Sequence, residues 1–270
     1  MDPAQVIDLT GSSDTEDCVT MKHTKIKAIG DYIRHRVAGP HHTETICVED
    51  LALSESSTVL CTKQTQLYLT ARDRGWACGY RNCQMLISSL IPLPILNTVP
   101  QVNELQQMLE QAWHAGFDRD GCTQLGRVVN TRKWIGATEV YCILAHLGVR
   151  ARIVDFHRAT GANGTHPALF AWIVEYFTCG ASKDSSTRFT DKHPLYLQHQ
   201  GHSRTVVGVE MADEGVCVLV FDPDVPVAQT PSRFLLSHTK HARQYQIVYV
   251  DSEPNSQAQI PKVISSTRIP

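Results

Sequence analysis

The sequence predicts an α+β fold. Helical periodicity is concentrated in the first half of the chain, short β-prone runs in the second, and the two do not alternate as a doubly wound sheet requires. Residues 1–22 are polar and without a sustained period, so they read as a flexible tail. A helix is expected over 25–37, with Ile26, Ile29, Tyr32, Ile33 and Val37 on one face. The clearest helix is 101–114, where Val102, Leu105, Met108, Leu109, Ala112 and Trp113 share one stripe and Gly116 follows as a stop. Another covers 137–147 and ends at Gly148, and a further one follows Thr165 with Pro167 in its first turn. Strands are expected at 149–156, 195–199, 203–210, 215–222 and 244–250. Residues 251–270 read as a second flexible tail, which leaves one domain over 23–250.

Charge and cysteine content narrow the function classes. The 270 residues carry 25 Lys and Arg against 27 Asp and Glu, a net charge of −2, so there is no basic excess to serve as a nucleic-acid footprint. No apolar run is long enough to span a bilayer, and the acidic start MDPAQVIDLTGSSDTED is unlike a signal peptide. A protein of the nucleus and cytoplasm, without membrane or nucleic-acid partners, is expected. The nine cysteines are odd in number and scattered, and no Cys-x-x-Cys pair occurs. This disfavours a disulfide framework and removes the strongest zinc signature, so neither metal nor cofactor is expected.

One thiol stands apart. In the run DRGWACGYRNCQMLISSL, Gly75 and Gly79 bracket Cys78, and Met85, Leu86, Ser89 and Leu90 fall at helical spacing. Cys78 is therefore expected in the first turn of a buried helix. There, unpaired N–H groups and the positive end of the helix dipole stabilise a thiolate and can contribute to an oxyanion hole. The flanking glycines would admit a peptide and Trp76 would wall the groove; the alternative is a core cysteine such as Cys83, further along the same helix.

A nucleophilic cysteine needs a histidine, and that histidine an orienting group. Thirteen histidines make the count uninformative, but 203–210 and 215–222 flank the turn signal MADEG and read as a hairpin. If the turn centres on Ala212, His202 and Asp222 stand opposite one another on one face. Asp222 also precedes Pro223, so a plain Asp-Pro turn is the competing reading. His199 falls out of phase with His202 if strand geometry continues through Gly201.

The runs around Cys78, WIGATE at 134–139, GTHPALF at 164–170, YLQHQGHSRTVVGVE at 196–210 and FDPD at 221–224 together resemble the zinc-finger-containing ubiquitin peptidases, relatives of the ubiquitin-fold-modifier proteases. The resemblance spans roughly 65–225 in order. It implies a papain-like core and a deubiquitinating thiol protease with Cys78 as nucleophile, His202 as base and acid, Asp222 as orienting carboxylate and Gln198 as oxyanion-hole glutamine, Gln200 being the fallback. It further implies that Asp118, Trp134 and Glu139 lie in segments contacting ubiquitin. The modifier proteases use an Asp-Pro-His motif for their histidine, whereas here the third position is Asp224. Members carry zinc fingers ahead of the catalytic domain; these 270 residues contain none.

Near the N-terminus, Val6, Ile7, Asp8 and Leu9 followed by SSDTED resemble a SUMO-interacting motif, which adds a strand to SUMO while its acidic flank meets basic residues. Two rival readings remain: a protease for another ubiquitin-like modifier, and an inactive adaptor binding ubiquitin and SUMO.

Overall fold

A computed structural model describes residues 47–48, 51, 57–69, 73–91, 96–179, 187–212, 215–226, 229–251 and 260–269. The helix expected at 25–37 and the SUMO-like motif at 6–9 lie outside these residues. In chain order the elements are β1 (Ser57–Leu60), α1 (Cys78–Ser88), α2 (Val102–His114), α3 (Arg119–Leu125), α4 (Ala137–His146), β2 (Ala151–Phe156) and α5 (Pro167–Thr178). They are followed by β3 (Thr187–Phe189), β4 (Leu195–His199), β5 (His202–Ala212), β6 (Gly215–Phe221), β7 (Ser232–Phe234), β8 (Tyr245–Val250) and β9 (Ser266–Ile269).

Local chemistry explains the main boundaries. The Gln101 N–H donates to Glu104 Oε2 at 2.6 Å and opens α2, whose apolar stripe Leu105, Leu109, Ala112 and Trp113 is buried. The Gly136 N–H donates to Glu139 Oε2 at 2.7 Å and opens α4 in the same way. Pro167 occupies the first turn of α5, where its missing N–H costs no hydrogen bond.

The strands form one mixed sheet in the order β3-β1-β5-β4-β8-β2-β9, with β6 on the other edge of β5 and β7 beside β6. Side chains alternate through it. Leu195, Leu197, Val154, Phe156 and Ile247 face a core completed by α5, while Tyr196, Ala151, Ile153, Val248 and Val250 face a second core with α1, α2 and α4. Helices thus cover both faces. The cysteine stands at the head of a buried helix packed against this sheet, and the class is α+β, as the sequence predicts.

Three expectations change. Most pairing is antiparallel, but β1–β3 and β2–β9 are parallel. The stretch 251–270, read as a flexible tail, contains β9: Ser266–Ile269 pairs with Ile153–Phe156, and Tyr141 Oη donates to the Pro261 carbonyl at 3.0 Å. His199 is not out of phase with His202. Gln200 and Gly201 make a two-residue turn, with Gly201 at φ 81°, so the two histidines are paired directly across the β4–β5 hairpin.

Candidate active site

Cys78 is the first residue of α1, and no side chain caps that end of the helix. Gly79 is buried because the helix presses on residues 134–139: a Cβ there would lie 2.6 Å from the Ile135 carbonyl oxygen. The space beside Gly79 is therefore filled by the protein itself, not by a substrate slot as expected. Gly75 does have open space and φ 84°. The loop leading into Cys78 is held by an Arg81–Asp73 ion pair, Arg81 also donating to Gln84 Oε1 at 2.7 Å.

Asn82, one helical turn after Cys78, ties α1 to β5. Its Nδ2 donates to the Cys78 carbonyl and the Ser203 carbonyl at 2.8 Å each and to Ser203 Oγ at 3.0 Å, while its Oδ1 accepts from Thr205 Oγ1 at 2.8 Å. This clamp brings the head of α1 to the strand that carries His202.

β5 and β6 pair antiparallel up to Ala212 and Gly215, and a bulge at Val207 shifts their register, so that Thr205 pairs with Phe221. Continued by one residue, this alignment sets Asp222 across from Arg204, not across from His202 as expected. A displacement of two residues keeps the same face, so Asp222 meets Arg204 directly and His202 diagonally. His202 Nε2–H donates to Asp222 Oδ1 at 2.9 Å and Oδ2 at 3.1 Å. That leaves Nδ1 for Cys78, with Asp224 Oδ2 at 3.5 Å on the same side. Asp222 Oδ1 also accepts the Asp224 backbone N–H at 3.0 Å.

The electrostatics follow from these contacts. Burial pushes the Cys78 thiol up, but hydrogen bonds with His202 and Ser203 and the His202 charge outweigh it and hold the thiol below its ordinary value. Burial opposes the His202 charge, yet hydrogen bonds with Asp222 and Cys78 and the Asp222 charge raise His202 to about 9. Burial likewise works against the Asp222 anion, which His202, Arg204 and the Asp224 N–H nevertheless keep below the usual carboxylate value. Cys83, buried in the interior of α1, is pushed strongly upward. Among the described residues His202, Asp222 and Asp224 group as potential metal ligands, but Arg204 places a cation on Asp222 where an ion would approach.

The other expected site residues divide. Gln198 accepts from Tyr196 Oη on Oε1 at 2.7 Å and donates from Nε2 to the His199 carbonyl at 2.8 Å, which leaves one amide N–H unspent. Gln200, the fallback, is exposed in the turn. Trp134 is 54% exposed, and its ring lies beside Gly201. Trp76 packs edge-to-face on Tyr80 at 5.9 Å. Glu139 is only 7% exposed and is engaged at the start of α4, accepting from the Gly136 N–H and from Thr138 Oγ1. Asp118 accepts the Gly121 N–H at the start of α3, and its own N–H donates to the Lys262 carbonyl. The carboxylates of Glu139 and Asp118 thus serve helix starts.

A model of peptidase family C78 matches residues 54–256, which contain every element from β1 to β8. The chain belongs to peptidase family C78. Zinc finger-containing ubiquitin peptidase 1 of Rattus norvegicus is 37% identical over 249 residues, covering 82% of this chain and 43% of that protein. Ubiquitin carboxyl-terminal hydrolase mug105 of Schizosaccharomyces pombe is 39% identical over 163 residues, 58% of this chain and 63% of that one. The crystal structure of UfSP from C. elegans aligns with a TM-score of 0.49 at 17% identity over 74% of this chain and 35% of that chain. The chain spans about two fifths of the length of the zinc finger-containing relatives.

Three residues of this C78 domain are not singled out by the sequence, Asn82, Tyr196 and Arg204, and a fourth, His199, is set aside there as out of phase with His202. Asn82 had a signal, a polar residue four positions after Cys78 on an inward helix face. Arg204 had another, a charge two residues after His202 on the same strand face.

Proposed function

We propose that this C78 domain is a cysteine peptidase that hydrolyses the bond after the C-terminal Gly-Gly of ubiquitin. The observation that carries the reading is the chain of contacts Cys78–His202–Asp222, with a depressed thiol at one end and a buried, hydrogen-bonded carboxylate at the other. The names of the rat and fission-yeast relatives favour ubiquitin as the modifier.

The chemistry follows from the geometry. The Cys78 thiolate attacks the scissile carbonyl carbon. The oxyanion is met by the Cys78 N–H at the uncapped end of α1 and by the spare Gln198 amide N–H. His202, protonated in the resting pair, delivers its Nδ1 proton to the departing lysine amine while Asp222 holds Nε2–H and so the ring plane. Water activated by the now neutral His202 releases ubiquitin from the thioester. Trp134, exposed beside Gly201, supplies an apolar wall for the modifier's tail. The Val6–Leu9 motif would direct the enzyme to SUMO-bearing substrates, checked by binding of SUMO to the full chain and to an Ile7→Ala variant.

The deciding experiment exposes the full chain to electrophile probes built on the C-termini of ubiquitin and other ubiquitin-like modifiers. A ubiquitin adduct at Cys78, absent in Cys78→Ala, is expected. Reaction with another modifier alone would replace ubiquitin in the reading, and no adduct with any probe would favour a binding role.

A further inference from the structure

We propose that Arg204 is a positioning residue of this site, the group that locks the Asp222 carboxylate in the plane His202 requires. The inference rests on the peptidase reading above and adds a member to it.

The Arg204 guanidinium is gripped on three sides. Its Nε–H donates to Asp222 Oδ2 at 2.7 Å. Its Nη1–H points to His199 Nε2 at 3.1 Å. Its planar face lies over the Phe234 ring, 5.6 Å from the ring centroid. The His199 contact fixes a tautomer. A nitrogen that accepts from a guanidinium carries no proton, so His199 is neutral and protonated on Nδ1, and that Nδ1–H donates to the Gln200 carbonyl at 3.0 Å. Burial and the Arg204 charge both lower the His199 proton affinity and keep it in this form.

A hydrogen-bonded relay therefore runs from the β4–β5 turn to the sulfur: Gln200 carbonyl, His199, Arg204, Asp222, His202, Cys78. Asp222 follows the last residue of β6 and precedes Pro223, so its own backbone has left the ladder. Arg204, inside β5, supplies the rigid reference that the carboxylate lacks. Arg204 also lowers the affinity of His202 for its proton, against the raising effect of Asp222. The charged and titratable groups facing this relay are Cys78 from α1, His199 from β4, Asp222 and Asp224 after β6, Tyr245 from β8, whose ring lies 5.7 Å from that of His199, and His238, Arg204 reducing the proton affinity of the last two.

The test measures kcat/KM on a ubiquitin isopeptide substrate from pH 4 to 10, alongside ubiquitin-probe labelling of Cys78. Arg204→Gln removes both the charge and the paired donors. Its kcat/KM is expected to fall roughly ten- to a hundredfold, with the alkaline limb displaced to higher pH because the imidazolium loses a repelling neighbour. Arg204→Lys keeps the charge without the planar fork, so the limb should stay in place while the rate falls. A lowered rate with unmoved limbs in Arg204→Gln would reduce Arg204 to ordinary packing and overturn the proposal. So would wild-type behaviour of either variant. If Arg204→Gln fails to fold by circular dichroism, a wild-type rate in Arg204→Lys still overturns it. Failure of the peptidase reading looks different: the wild-type protein itself would form no Cys78-dependent probe adduct.

Discussion

The Cys78 sulfur lies among groups that favour its anion, whereas burial penalises the anions of Cys61 and Cys83; it pushes Cys61 up to about 12 despite a hydrogen bond with Thr65. Because each unit of pKa changes the thiolate fraction tenfold, iodoacetamide at neutral pH should modify Cys78 more than a hundredfold faster than either buried thiol. Residue-resolved mass spectrometry checks this, and equal rates would remove the case for an activated thiol. Turnover of a ubiquitin substrate should decline on the alkaline side through about 9 as His202 loses the proton it delivers to the leaving amine. Asp222→Asn turns an oxygen that accepts from Arg204 and His202 into a donor, and kcat/KM on a ubiquitin substrate should drop by roughly 10³- to 10⁴-fold. The same two groups shape stability. His202 is raised from 6.5 to about 9, so its contribution is complete below about pH 6.5 and is lost as pH rises through 9. Asp222 is lowered from 3.8, so its contribution is present above that value and is lost on acidification through the depressed one. Cys78, lowered from 9.0, contributes in the opposite sense, with stability that grows as pH rises toward 9 and offsets the His202 loss. Urea unfolding should therefore show little change from pH 7 to 9, and a steep change across that interval would contradict the assignment.

Between elements, the site depends on two close approaches. Asn82 joins α1 to β5 through fully buried hydrogen bonds, and Asn82→Leu would strand the Ser203 carbonyl and Thr205 hydroxyl, destabilising by about 1–3 kcal/mol in denaturant melts. Gly79→Ala forces a Cβ onto the Ile135 carbonyl and should lower stability by about 1–3 kcal/mol while slowing Cys78 labelling. At this scale most of the fold was legible: the α2 stripe, the Cys78 helix start and the β4, β5, β6 and β8 segments follow from apolar periodicity that burial confirms. What was not legible was register. The hairpin pairs Ala212 with Gly215, three positions from the expected alignment, and the bulge at Val207, which leaves no mark in composition since Val206, Val207 and Val209 are all buried, takes one back, so Asp222 falls across from Arg204. His199 shares a face with His202, against the expectation from alternation, because a two-residue turn restores phase where a continuous strand would lose it. β9 escaped because Ser266, Thr267 and Arg268 are exposed on a sheet edge and carry no apolar alternation.

For the molecule as a whole, the C-terminal segment closes the sheet and clamps the helical layer. β9 pairs with β2, Lys262 Nζ donates to the Ala115 carbonyl at 2.6 Å and stands over Phe117, and Tyr141 donates to Pro261. A chain ending at residue 259 should melt several degrees lower than the full chain, with β2 amides exchanging faster; an unchanged melting temperature would show these contacts to be idle. Tyr141→Phe should reproduce part of that loss, about 0.5–1.5 kcal/mol. β5 has the opposite character. It pairs with β1 and β4 along one edge and β6 along the other, and it holds His202, Ser203, Arg204 and Thr205 in its first four positions. Amide hydrogens of such a strand exchange only when the entire domain opens, so the proposed acid–base apparatus belongs to the slowest-exchanging part of the protein. Heat or denaturant should therefore abolish labelling of Cys78 and global structure in a single step, with no folded but inert species in between.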